Sequence, residues 1–252
     1  MQRLLVFALA SPIALPLLSI EASAAVPRLV SQESATPEID VRFVDSEAHS
    51  FTGEERRVIT GVSEAAVAEI AAILTGVPPR IELVVQAGPE VIPETGEAGM
   101  ALAPGRIGWT VDPGRPGGVA AIAREKLRHT LFHEVHHLAR GWTVEGRTVG
   151  SRMIDAVVSE GMATAFERDA AGWRPPWGEY PAGEVAGWVD ELRAVAGFET
   201  YATWMFRHPD GRRWIGYRAG TYLTDQAMAA SGRSAAELVS TPTDEILSLA
   251  IP

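Results

Sequence analysis

The chain contains no cysteine and one lysine, Lys126. Without cysteine there are no disulfides, no thiolate metal ligands, no cysteine nucleophile and no lipidated cysteine anchor, so stability must come from core packing and from any bound metal. Positive charge rests almost wholly on scattered arginines, with no polybasic run, and the formal net charge is −10. That balance excludes a nucleic-acid partner or an anionic membrane surface, both of which need concentrated basic charge. Beyond residue 24 no apolar run is long enough to span a bilayer. What is present is 252 residues with 46% hydrophobic content, enough for one substantial core or two small subdomains.

The long apolar segment lies at the start. Arg3 precedes a stretch from Leu4 to Ile20 broken by Pro12 and Pro16, and Ala22-Ser23-Ala24 follows as a small-x-small site. This pattern predicts a signal peptide over 1–24, with Ala25 as the near alternative for the cleavage point. An uncleaved anchor is the competing reading, weakened by two prolines and a short apolar length. The mature chain is expected to be exported, periplasmic or secreted, without stable membrane insertion after signal removal. A polar lead-in over 25–38 then precedes a single domain over 39–252. Composition carries no signal for an oligomeric state.

Ile39 to Val44 alternates as a strand, and Glu54 to Leu74 carries its apolar positions at helical spacing until Gly76, Pro78 and Pro79 stop it. Arg80 to Gln86 reads as a second strand. Met100–Ala103 and Arg106–Val111, separated by Pro104-Gly105, read as a hairpin. A long helix is expected from near Gly118 to about Arg140, and another from a cap at Ser151 to roughly Asp169, with further helical segments beyond. The fold class is therefore α+β, with a small sheet-bearing half over 39–117 and a mostly helical half over 118–252. The cleft is expected between them, with the Arg106–Val111 strand offering an edge to an extended ligand.

Leu131-Phe132-His133-Glu134-Val135-His136-His137-Leu138 places His-Glu-x-x-His in an apolar helical run. Residues four apart share a helix face, with Cβ atoms about 5–6 Å apart, so His133 and His137 can grip one ion. Glu134, rotated by about one hundred degrees, cannot easily join them but can lean over a water there as general base. His129 lies on the same stripe, but eight residues from His137 it is about 12 Å away, too far for one shared ion. His136 can pair with His133 at a spacing of three, at the expense of Glu134's usual relation to the ligands. A catalytic zinc site takes three protein ligands. Glu160, in an apolar context where an unpaired carboxylate would be costly, is the candidate third, and Glu145, Asp155 and Glu167 are weaker substitutes. Gly161 is expected to let that helix approach the metal helix.

The run His133 to Arg140, followed by Glu160-Gly161-Met162-Ala163, resembles the predicted zinc-dependent proteases of the DUF2268 type, grouped with the glutamate-zincins. The strand-like Ile107 to Pro113, Gly216-Tyr217-Arg218-Ala219-Gly220, Glu237-Leu238 and Asp244 to Leu247 extend the similarity over roughly Arg106 to Leu249. The resemblance implies one zinc per chain held by His133, His137 and Glu160, Glu134 as general base, and Tyr217 as a donor to the oxyanion, with Tyr222, His208 and Arg218 as alternatives. Many glutamate-zincins place an Asp four residues after the metal-binding Glu to fix a ligand imidazole; Thr164 stands there in this chain. Trp173, Trp177 and Trp188 line a subsite or pack the core.

The reading is a zincin-like zinc metallopeptidase acting on a peptide or protein substrate. Its rivals are an exported non-catalytic zinc-binding or adhesion module and a zinc amidohydrolase on a non-peptide amide.

Overall fold

In β2 (Arg80–Ala87), Ile81, Leu83 and Val85 are fully buried and the residues between them are not. The same period of two recurs in β4 (Arg106–Val111), where Ile107, Trp109 and Val111 point inward. Such alternation marks a sheet with one face on the core and one on solvent. In the computed structural model, residues 36–47, 49–146 and 151–251 are described; the expected signal segment and most of the lead-in lie outside them. β1 (Glu38–Val44) and β3 (Glu97–Ala103) complete a four-stranded sheet in the order β1-β2-β4-β3. β1–β2 and β2–β4 are parallel, whereas β3 and β4 form the expected antiparallel hairpin. The open face carries Glu82 between Arg42 and Arg106 as an exposed ion-pair ladder.

The order corrects one expectation. β4 is interior, with β2 and β3 on its two sides, so its backbone groups are already used. The edge is β3. The far end of β3 is covered, because Val144 and Glu145 donate backbone N–H groups to the carbonyls of Ala101 and Leu102.

Helix α1 (Gly53–Ala71), started by a reciprocal Thr52–Glu55 cap, connects β1 to β2 and buries Ile59, Val67 and Ile70 against the sheet. The run expected as one helix from Gly118 is interrupted: α2 (Gly118–Ile122) passes through a π-helical turn, Ala123–Leu127, into α3 (Arg128–Arg140). α3 sets Leu131, Phe132, Val135 and Leu138 into the sheet's own core. In α4 (Met153–Phe166) every residue except Asp155 is buried, as befits a helix enclosed on all sides. Its start is marked by the Arg152 N–H bonded to Asp155, not by Ser151, and a second π turn, Glu167–Ala171, ends it.

A second hydrophobic cluster joins α4 to α5 (Val185–Arg193), α7 (Ile215–Ser231) and α8 (Thr243–Ala250), with the short α6 (Tyr201–Met205) alongside. Gly161 serves this packing. A Cβ there would lie 1.9 Å from the Gly220 carbonyl carbon, so the glycine brings α4 against α7 and not, as the sequence suggests, against the metal helix. Among the described residues no helix is long and apolar enough to cross a membrane.

Candidate metal centre and cleft

One turn apart on α3, His133 and His137 bring their Nε2 atoms to 3.1 Å from each other. Glu160 reaches across from α4, its Oε2 3.2 Å from His133 Nε2 and 3.1 Å from His137 Nε2. The three donor atoms lie within 4.8 Å of one another, and all three residues are buried. Burial by itself would raise the Glu160 pKa, but the two imidazoles hold the carboxyl well below the usual range. Burial would likewise lower His133, and Glu160 and Glu167 hold it well above the ordinary imidazole value.

The donor set fits a metal ion. Glu167 Oε2 lies 3.3 Å from His133 Nδ1. With a metal on Nε2, the one remaining ring proton of His133 sits on Nδ1, where the Glu167 carboxylate is placed to accept it. A ligand histidine needs that tautomer. Glu160 Oε2 completes a buried convergence of electron-pair donors, and its other oxygen, Oε1, accepts from the Tyr201 hydroxyl at 3.4 Å.

The other candidates are placed elsewhere. His136 is fully buried against the Phe166 ring, with burial pushing its pKa well down, and His129 packs beside Trp173. Glu145 is exposed, and Asp155 is bound to Arg152. Glu167, weighed as a ligand, instead backs His133 from behind. It occupies the place that the sequence pattern gave to Thr164, whose Oγ1 finds no hydrogen-bond partner among the described residues. Seven residues after Glu160, Glu167 returns to the same helix face two turns on, a spacing as readable in the sequence as the one tested. Tyr201 left no such signal, since α6 is far from the motif in sequence.

Glu134 lies at the mouth of the site, 6% exposed. Burial raises its pKa, with His133 and His137 pulling the other way. Gly99 on β3 makes room for it: a Cβ there would lie 2.8 Å from Glu134 Oε1. A cavity of about 540 Å³ opens here, lined by the metal-site residues, by Ala98 to Ala101 of β3, and by Tyr201 and Tyr217. The Tyr217 ring stands 6.4 Å from that of His133. Burial drives its phenol pKa well up, and Glu160 adds to the shift. Tyr222 packs on Tyr180, His208 pairs with Asp210, and Arg218 donates to Pro176, so none of these alternatives lines the cleft. Trp173 and Trp177 line a smaller adjoining cavity, whereas Trp188 is buried in the second core. Trp214, also at the cleft, has φ 60° and is the only described non-glycine residue with positive φ.

Fold and site together define an α+β protein with a buried His-His-Glu group able to hold a metal ion beside an open cleft. Residues 48–248 match the family model described as Predicted Zn-dependent protease (DUF2268), and the chain belongs to that family. Comparisons with curated proteins and with solved structures gave no match.

Proposed function

We propose that this chain is a zinc peptidase that hydrolyses peptide bonds with Glu134 as general base and His133, His137 and Glu160 as the ligands of one zinc ion. The observation that carries this reading is the convergence of those three donors beside a buried carboxylate at the wall of a cleft. Bound zinc supplies Lewis acidity, lowering the pKa of water toward about 7 and polarising a carbonyl. The chain's own residues do the rest. Glu134, made more basic by burial, takes the proton of the attacking water and returns it to the departing amine. Glu167 holds His133 in the ligating tautomer, and Tyr201 orients Glu160. Tyr217 donates its hydroxyl proton in a hydrogen bond to the developing oxyanion; its raised pKa keeps that proton in place at neutral pH.

The free stretch of the β3 edge, Ala98 to Met100, lies along the cleft. An extended peptide pairs there by backbone hydrogen bonds, which select for unfolded or flexible substrate over folded protein. No fourth protein ligand joins the three among the described residues, which favours an open catalytic position over a closed structural site. Export through the N-terminal segment is part of the proposal, checked by whether the mature chain begins at Ala25.

The test is Glu134→Gln in zinc-loaded protein. Cleavage of oligopeptides is expected to fall by at least about 10²-fold with metal content unchanged, and Tyr217→Phe to lower kcat by about 10²–10³-fold. Equal turnover by wild type and Glu134→Gln overturns the reading.

A further inference from the structure

On the Glu134 side of the site lies a smaller cavity of about 70 Å³, walled by Trp173, Trp177, Trp214 and Phe206. Three carboxylates line it as well: Glu97, Glu134 and Glu167, exposed by only 4%, 6% and 2%. No arginine or lysine is among its lining residues. Glu97 takes its hydrogen bonds from neutral donors, Trp109 Nε1 at 2.8 Å and Thr130 Oγ1 at 2.7 Å, both on Oε2. Glu167 is engaged through Oε2 by His133. Cations do approach the outer walls. The Lys126 ammonium lies 5.1 Å from the Trp173 ring centroid and Arg213 lies 5.0 Å from that of Trp214, but they pair with Glu125 and Glu94 and neither lines the cavity.

Glu97, Glu134 and Glu167 thus face a small cavity whose lining offers them no cationic side chain. A carboxylate pairs best with a positive group, and tryptophan walls add an attraction of their own for a cation. Glu167 is committed to His133 and Glu134 to proton transfer, so Glu97 is the carboxylate left to meet a ligand. The volume admits a few heavy atoms, such as a guanidinium or an ammonium on a short stem, but not a large ring.

We propose that this cavity is a subsite for a cationic group of the substrate, with Glu97 as the residue that selects it. Cleavage is then directed beside an arginine or lysine side chain, or beside a free peptide amino terminus; the two share the chemistry of a positively charged nitrogen. The inference rests on the peptidase reading for the cleavage, but not for the binding.

The experiment therefore measures both. Binding to zinc-loaded protein is followed by tryptophan fluorescence and by saturation-transfer NMR, using butylguanidine against its neutral isostere butylurea, and leucinamide against N-acetyl-leucinamide. Cleavage is followed on blocked peptides matched except for lysine, arginine, glutamine or glutamate next to the scissile bond. A preference of at least about tenfold for butylguanidine, matched by faster cleavage beside basic residues, supports a side-chain subsite. The same preference for leucinamide supports recognition of the amino terminus. In either case Glu97→Gln, which keeps shape and hydrogen-bonding capacity, is expected to abolish the preference for the cation in binding and for the basic residue in cleavage; a preference that survives the substitution overturns the role of Glu97. If neither cation outbinds its neutral counterpart in wild-type protein, the subsite assignment is overturned, even where the glutamine peptide is cleaved normally. Loss of all cleavage with cation binding intact counts against the peptidase reading and leaves the subsite standing.

Discussion

Glu167 and His133 meet end to end, carboxylate Oε2 to ring Nδ1 at 3.3 Å, with both residues buried. The contact occupies Nδ1 and leaves Nε2 as the nitrogen that faces His137 and Glu160. Partners of this kind are worth about 10–100-fold in metal affinity. Glu167→Ala is accordingly expected to weaken zinc binding by that factor in a competition titration with a chromogenic chelator. Thr164→Val, at the position where the sequence pattern sought the same function, is expected to change affinity by less than about twofold. An unchanged affinity in Glu167→Ala would remove its orienting role.

Gly99 of β3 lies close against Glu134 of α3. A methyl group at Gly99 would lie 2.4 Å from Thr130 Cγ2 and 2.8 Å from Glu134 Cγ. The glutamate has to move to admit it, and a displacement of about 1 Å at a reacting group can cost about 10²-fold. Gly99→Ala is thus expected to lower kcat by that order with zinc content retained, as read by steady-state kinetics and metal analysis on the same sample.

The α4–α7 crossing depends on two glycines. A Cβ on Gly220 would sit 1.9 Å from the Val157 carbonyl oxygen, and one on Gly161 the same distance from the Gly220 carbonyl carbon. These are backbone atoms that cannot rotate away, so the helices must separate. Gly161→Ala and Gly220→Ala are each expected to destabilise the fold by about 1–3 kcal/mol, seen as a lowered Tm. Because the contacts are mutual, the double variant is expected to cost less than the two single losses added together. Wild-type stability in either single variant would show that the helices yield more easily than this contact implies.

Glu97 supplies a pH signature away from the metal ligands. Burial raises its pKa, only partly opposed by the hydrogen bonds from Thr130 and Trp109. In the folded chain it therefore holds its proton to higher pH than in the unfolded chain. The stability it contributes is full below the ordinary glutamate range of about pH 4–5 and is lost as pH rises through the folded value. Glu97→Gln removes that loss. The variant's denaturation midpoint relative to wild type is expected to climb as pH rises from about 4.5 toward neutrality, in metal-free protein. A difference that is flat across this range would mean that burial does not perturb the group.

Much of the site was legible before any coordinates. The four-residue step from His133 to His137 dictates a shared helix face because a helix turns once in about 3.6 residues. The apolar neighbours of Glu160 mark a buried carboxylate in need of a partner. Both are local regularities of the chain, as are the alternation of β2 and the hairpin signal at Pro104-Gly105.

What the sequence determined by itself was whatever depends on periodicity along one segment: the α+β content, the histidine pair and the burial of Glu160. Tertiary structure alone decided the relations between segments. The strand order placed β3, not β4, at the edge beside the cleft, since β2 pairs in parallel with β4 and the intervening β3 folds back to the outside of it. It gave the orienting role to Glu167 in place of Thr164, and brought Tyr201 to Glu160 from a helix forty-one residues away. It also turned Gly161 toward α7. The physical reason is common to all of these: a helix or strand period says which residues share a face, but which neighbour that face meets is set by how separate elements pack together.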